Sequence, residues 1–458
     1  MANSKENTFR ENREYINKAL RISWPAVLES FFVALVGMVD SLMVSTLGEE
    51  AVAAVGLTTQ PKFLFLALFI AMNIAVSAVV ARRKGEQDRT RANKTFLFAL
   101  CFTVIMGAVV SIVAVSGADF FIRLSGSEPE THDMSVAYFR IIMGGIMFNI
   151  VSLVINAALR GAGNTKVAMR TNVTSNLVNV VFNYLLINGN FGFPKLGIKG
   201  AAIATVIGTM VACTMSICSV FKKEQFVSFA YCIKEKLKPD FSEVKPILKV
   251  GGSAFVEQVL LRIGFMSVAV MAAKQGTDSF AAHQVAMNCM ALSFSFGDGM
   301  QVAAVSLIGQ SLGQKDPELA KKYGKICRRI GMCIAVVLAV LYFCFGKIYF
   351  KMYFPEAEQQ HIVDMGVKMM YVIAVVVTLQ IAQVIYMGCL RGAGDVLFTT
   401  ITSMISVTCL RPISSYIFCY VLDFGILGIW FGLVADQICR YVMTSLRFQS
   451  GKWVNVRI

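Results

Sequence analysis

Long apolar runs separated by short polar connections recur along nearly the whole chain. A helix needs about 20 predominantly apolar residues to cross a hydrocarbon core of roughly 30 Å. Twelve runs of that kind begin near residues 23, 52, 95, 134, 166, 197, 246, 279, 326, 363, 396 and 425. The pattern predicts an all-α polytopic membrane protein. Composition agrees, at 56% hydrophobic and only 16% charged, against roughly 25% charge in soluble domains. The start, MANSKENTFRENREYINKALR, is polar and leads into a full-length apolar run. It lacks the short apolar region and small-residue cleavage site of a signal peptide, so the first helix is expected to remain as a span.

The loop charges predict orientation. Residues 82–94 and 315–329 each carry six basic and two acidic side chains, and the 222–249 connection has seven Lys against four acids. Residues 119–133 carry one Arg and four acids, and the 347–364 loop also leans acidic. Lys and Arg concentrate on the cytoplasmic face, which places both termini inside, as an even number of spans requires. The net charge of +15 is then mostly topology, and its dispersal over loops argues against nucleic-acid binding. The twelve cysteines lie mostly within apolar runs, with no C-x-x-C and no His at metal spacing, so neither a disulfide framework nor a zinc site is expected.

The chain also repeats itself. Shifted by 228 residues, AVAAVGL…RRKGEQD falls on SFAAHQV…QSLGQKD without a gap, and Glu29 falls on Glu257. LRGAG at 159 returns at 390, a shift of 231, while Gly197 and Gly200 return as Gly425 and Gly428. The expected organisation is an N-lobe over 1–221, a cytoplasmic linker over 222–245 and a C-lobe over 246–458. Six spans per half make the repeats parallel, a known transporter design with a shared central cavity. Gly161, Gly163, Gly392 and Gly394 are expected to supply positive φ in cytoplasmic turns. Arg160 and Arg391 suit a helix C-terminus and the anionic inner leaflet. RGAGNTK lacks the G-x-x-x-x-G-K-[ST] of a nucleotide-binding loop.

Ionisable residues within spans usually face a cavity or a partner, because a charge at the bilayer centre costs about 2.5–3.5 kcal/mol. Here they are Glu29, Asp40, Glu257, Arg262, Asp298, Arg411 and Asp436. Apolar surroundings disfavour the charged form of a carboxylate, so Asp40 in VGMVDSLMV is suited to exchange a proton; a carboxylate wetted at a helix end is the structural alternative. In the fifth span, Asn172, Asn176, Asn179 and Asn183 are spaced four, three and four, which puts all four carboxamides on one helical face. They could line a polar cavity or form a seam between helices. In the second half Asp298 and Arg411 could neutralise Arg262 and Glu257, and Gln284, Gln301, Gln380 and Gln383 add polar surface. His283 reads as a packed histidine rather than a metal ligand. No catalytic constellation or nucleotide fingerprint appears, so the chain is not expected to be an enzyme or to need a cofactor beyond a coupling ion.

Two six-span halves, WPAVLESFF…VGMVDSLMVSTLG in the first span, the AAVGL and AAHQV pair, both LRGAG turns and LRPISSY in the eleventh span together resemble the multidrug and toxic compound extrusion (MATE) family. The resemblance covers about residues 15 to 446. It implies two six-helix lobes in a V-shaped arrangement and rocker-switch efflux of organic cations and drugs in exchange for Na⁺ or H⁺. Carried over residue by residue, Pro25 matches the bend of the first span and Asp40 the ion-coupling acid. Asn179 and Asn183 match the fifth-span polar positions, and Thr205 the sixth-span hydroxyl. Na⁺, if it is the coupling ion, would sit at Asp40, Asn179 and Asn183. Glu257 matches the acid of a secondary C-lobe polar site with Gln284, Gln380 and Asp298; the family's second acid there would fall at Gln380, which is neutral. Asn172, Asn176 and Gln60 would line the substrate cavity. The implied partners are amphipathic or cationic small molecules and membrane lipids, with the chain a monomer in a bacterial cytoplasmic (inner) membrane. A flippase for lipid-linked saccharides, with Arg262 and Arg411 as headgroup ligands, is the alternative.

Overall fold

The computed structural model describes residues 2–222, 224–239, 241–354 and 359–456. Glu356 and Glu358, which made the 347–364 loop acidic, lie outside the described residues. Within them the chain is helical, with no strand. In order the helices are α1 (Ala2–Ser45), α2 (Glu49–Gly85), α3 (Arg89–Ser116), α4 (Ala118–Leu124), α5 (Pro129–Gly144), α6 (Ile146–Gly161), α7 (Thr165–Asn188) and α8 (Ile198–Val220). There follow α9 (Phe229–Lys234), α10 (Val244–Ala273), α11 (Thr277–Gly313), α12 (Pro317–Tyr353), α13 (Gln360–Ala393), α14 (Val396–Ser403), α15 (Arg411–Tyr416) and α16 (Ile426–Gln449). Two π-helical stretches, Met404–Leu410 and Ile417–Val421, flank α15.

Ten helical segments among the described residues are long and apolar enough to cross a membrane, and α5 with α6, bent by 46°, makes an eleventh. The twelfth predicted run is α7, a helix of 24 residues. Its row of asparagines, with Lys166 and Arg170, keeps it out of any count made on apolarity. The shortfall is thus a signature of the polar face on α7. The chain is a multi-pass, all-α membrane protein.

Many of the identities between the two halves prove to be turn and cap residues. Asp88 caps α3 by accepting from the Arg91 amide at 2.9 Å, and Asp316 caps α12 by accepting from the Leu319 amide at 2.9 Å. A capping carboxylate satisfies one of the donors that a helix start leaves unpaired. Gly48 and Gly276, which precede α2 and α11, take φ of 103° and 96°, values that L side chains avoid.

The chain divides into two compact units, Leu28–Phe255 and Met1–Val27 with Val256–Ile458. In the first, buried Phe69, Phe96, Phe139, Ile150 and Ile155 fill the interior. The connection after α8 is strapped to α3 in this unit. Arg89 donates to the carbonyls of Phe226 and Gln225, Asn93 accepts from the Ser228 amide, and Thr95 donates to Glu243 at 2.7 Å. In the second unit α13 is the most enclosed element, with every residue from Gln380 to Ala393 buried. Trp430 and Trp453 are also fully buried there.

Candidate functional site

The asparagine row of α7 faces α1 and α8 within the first unit. α7 and α8 approach closely because Gly208 has no side chain; a Cβ there would meet the Ser175 carbonyl at 2.9 Å and the Asn179 Cβ at 3.1 Å. That approach sets Asn179, which is buried, to donate to the Thr205 hydroxyl at 3.3 Å. One turn on, Asn183 is also buried and donates to Asp40 Oδ1 at 2.7 Å. Asp40, Asn179, Asn183 and Thr205 are therefore brought together on α1, α7 and α8. The ligand atoms on offer to a small hard cation are oxygens: a carboxylate, two carboxamide carbonyls and a hydroxyl. Lys62 of α2 lies within electrostatic range of Asp40. Lys62 is not among the expected site residues, although a lysine within PKFLFLALF is signal enough.

Asn172, at the other end of the row, donates to a second carboxylate of α1. Its Nδ2 lies 2.5 Å from Glu29 Oε1, which also accepts from Arg160 at 2.9 Å. Arg160 is the arginine of the first LRGAG. It was expected to anchor at a lipid surface and is instead half of an ion pair inside the unit. The second unit repeats the arrangement. Arg391 donates to Glu257 Oε1 at 2.9 Å, and Ser403, which is 231 residues beyond Asn172, donates to the same oxygen at 2.8 Å. Thr399 completes this copy by donating to Glu257 Oε2 at 3.2 Å. Its counterpart in the first unit is Ala168, and Glu29 Oε2 is buried without a hydrogen-bond partner.

The glycines of the two LRGAG segments divide into two roles, a correction to the expectation that all four supply positive φ. Only Gly163 and Gly394 do, at 83° and 88°. Gly161 and Gly392 are helical, and each lets its helix touch a neighbour's backbone. A Cβ at Gly161 would collide with the Ser77 carbonyl oxygen of α2, and one at Gly392 would lie 2.6 Å from the Val305 carbonyl oxygen of α11. Ser77 and Val305 are themselves 228 residues apart. The repeated pentapeptide thus encodes a helix crossing, an ion pair and a turn.

The acid of the predicted C-lobe site stands in a different setting. Glu257 is engaged by Arg391, Thr399 and Ser403, and Gln380 precedes Arg391 by eleven residues, about 16 Å of helix. Gln380 is buried, Asp298 half-buried and Gln284 exposed. Arg411 does not neutralise Glu257. It donates to Asp436 Oδ2 through Nε at 3.0 Å and also through a terminal nitrogen, and Arg440 donates to the same oxygen at 2.8 Å. Arg440 stands four residues from Asp436, a helical spacing that the sequence reading did not use. His283 is packed against Trp430, ring centres 5.5 Å apart. Among the described residues no group of three or more His, Cys, Asp and Glu could hold a metal. Gln60 is exposed, Asn176 half-buried, and α1 continues as one helix through Pro25.

The chain is also similar to known proteins. The model of the MatE family matches residues 25–185 and again 253–417, once in each half. The "Probable multidrug resistance protein NorM" of Thermotoga maritima is 27% identical over 448 residues, covering 96% of this chain and 93% of its own. Among solved structures, a MATE protein in complex with MaL6 superposes with a TM-score of 0.88 at 22% identity, over 96% of this chain and 97% of the other. A MOP superfamily transporter from Pyrococcus furiosus, described as having a binding pocket of reverse polarity that suggests a different function, gives the same TM-score, identity and coverage. At 22% identity these two likenesses are of fold.

Proposed function

This chain belongs to the MatE family, whose members are transporters and not enzymes, and from that premise we propose that it is a secondary active multidrug efflux transporter driven by inward flow of Na⁺ or H⁺. The observation that carries the reading is the hydrogen bond from Asn183 to Asp40 at 2.7 Å, beside the Asn179–Thr205 pair. A carboxylate held by a carboxamide in an apolar helix is suited to exchange a cation, and an ion that binds two states of the protein unequally shifts the balance between them. Ion binding at Asp40 would favour the state that releases organic cation or drug outward. Ion release to the cytoplasm would reset the cycle. The multidrug resistance name of the Thermotoga relative supports this substrate class. By the same reading the chain acts as a monomer in a bacterial cytoplasmic membrane, with both termini inside, and needs no cofactor beyond its coupling ion. The flippase reading loses support, because the Arg411 guanidinium that would serve a lipid headgroup is committed to Asp436.

The test is gradient-driven export of a cationic dye from proteoliposomes, with pH and Na⁺ gradients imposed separately. Asp40→Asn is expected to lower the rate roughly a hundred-fold, as loss of an essential proton-exchanging group does. Unchanged export would remove Asp40 from the mechanism.

A further inference from the structure

Asp40 is only one end of a longer arrangement. Glu29 and Asp40 are eleven residues apart on α1, which is three turns and about 16 Å along one face. Asn172 and Asn183 are likewise eleven apart on α7, and each donates to one of the two carboxylates. Between them lie Asn176 and Asn179, so a continuous row of carboxamides runs beside α1 from one acid to the other. Three groups along the row are buried without a hydrogen-bond partner: Glu29 Oε2, Asn176 Nδ2 and Asn183 Oδ1. Glu29 itself is 5% exposed. Buried polar groups ordinarily find partners, so a series of them left over along one seam calls for an explanation, and a polar species that passes along the seam supplies one.

The repeat supplies an internal control. In the second unit the residues equivalent to Asp40, Asn176 and Asn179 are Val268, Val407 and Leu410. The Glu–Arg pair is retained there, yet its second oxygen has the Thr399 hydroxyl at 3.2 Å, whose single proton it shares with the Val396 carbonyl. Holding a helix in place needs the pair alone. The open glutamate oxygen occurs in the half that also has the outer acid and the row; in the second unit the open carboxylate oxygen is Oδ1 of Asp436, held between Arg411 and Arg440.

We propose that Glu29 is an inner proton-accepting station, to which the proton bound at Asp40 passes along the carboxamide row on its way to the cytoplasm. The inference rests on Asp40 being the coupling site and specifies H⁺ as the ion. One unbonded oxygen accepts a proton, whereas Na⁺ needs several oxygen ligands, and Glu29 Oε1 already holds Arg160 and Asn172. Arg160 from α6 pairs with Glu29, and Lys62 from α2 and the phenol of Tyr138 from α5 lie within electrostatic range of Asp40. In the transfer the O–H bond of protonated Asp40 breaks and water bound to the row carries the proton as hydronium. A new O–H bond forms at Glu29 Oε2, breaks again toward the cytoplasmic solution, and leaves the Glu29–Arg160 pair restored.

Two measurements on the purified full chain separate the station from the coupling site. The first is proton release when ethidium is added to protein in weakly buffered detergent, and the second is pH-gradient-driven ethidium export in proteoliposomes. Asp40→Asn should lose both. Glu29→Gln should keep the first and lower the second roughly ten-fold or more, as removal of a proton-transfer group does, with Glu29→Asp recovering most of the loss. Ala168→Thr, which offers Glu29 the hydroxyl that Thr399 gives Glu257, should also slow export and leave release intact. It serves as the deciding variant if Glu29→Gln does not fold. Export by Glu29→Gln within two-fold of the parent, or loss of release along with export, would overturn the station and leave the Asp40 reading standing. So would export driven by Na⁺ and indifferent to pH. Normal export by Asp40→Asn would overturn both.

Discussion

Glu29 and Glu257 occupy equivalent places in the two halves, each beside the arginine of an LRGAG turn, but their carboxylates are not equally satisfied. Glu257 accepts from Arg391, Ser403 and Thr399, which engages both oxygens. Glu29 accepts from Arg160 and Asn172 on one oxygen only. Burial differs in the same direction: the side chains of Arg391 and Glu257 are 11% and 1% exposed, those of Arg160 and Glu29 16% and 7%. One copy resembles a finished structural pair. The other keeps a reactive edge and stands at the foot of the α7 carboxamides. A duplicated helix crossing has thus kept its mechanical parts in both halves and its polar chemistry in one.

Removing the arginines should break the symmetry most. Arg391→Leu leaves Glu257 buried and without a counter-charge, a change that typically costs about 3–5 kcal/mol. Arg160→Leu should cost less, because Glu29 is nearer solvent. Thermal unfolding of the two variants in detergent checks the order, and equal losses would mean that the difference in burial has no energetic weight. Next come the crossing glycines. Gly161→Ala and Gly392→Ala each force a methyl group against a backbone oxygen that belongs to another helix. Overpacking of that kind costs about 1–3 kcal/mol, and here the halves should behave alike. A tolerated substitution at either position would show that its helix pair can open without penalty.

Much of this was legible in the residues. The doubled LRGAG, the 228-residue register and the spacing of four asparagines locate the repeat, the turns and the α7 face. Asp40, Asn179, Asn183 and Thr205 were brought to one site by a family pattern that depends on side-chain type. The ion pairs were not foreseen, although the register already set Glu29 on Glu257 and Arg160 on Arg391. Two acids and two bases that recur together are a pairing signal, but helix-end arginines have an adequate explanation in the lipid surface, and that explanation hid it. The C-lobe polar set differs from its expected setting for another reason. A match of residue types along the chain says nothing about depth, and Arg391, the partner of Glu257, lies about 16 Å of helix from Gln380.

The smallest expected effect is the one that separates the two halves most cleanly. Thr399→Ala removes the donor to Glu257 Oε2 and puts that oxygen in the condition of Glu29 Oε2. The hydroxyl also donates to the Val396 carbonyl at 2.9 Å, so its bond to the carboxylate is shared and its loss should cost about 1 kcal/mol. The unfolding midpoint in detergent should fall accordingly, by less than for either arginine. Proton-coupled export should stay at the parent rate, because no acid stands at Val268 and no carboxamides at Val407 and Leu410. An unsatisfied carboxylate would then be insufficient by itself, and the row beside it would be what makes Glu29 a station. A change in the pH dependence of export would instead assign the C-lobe pair a part in proton movement and end the division of labour between the halves.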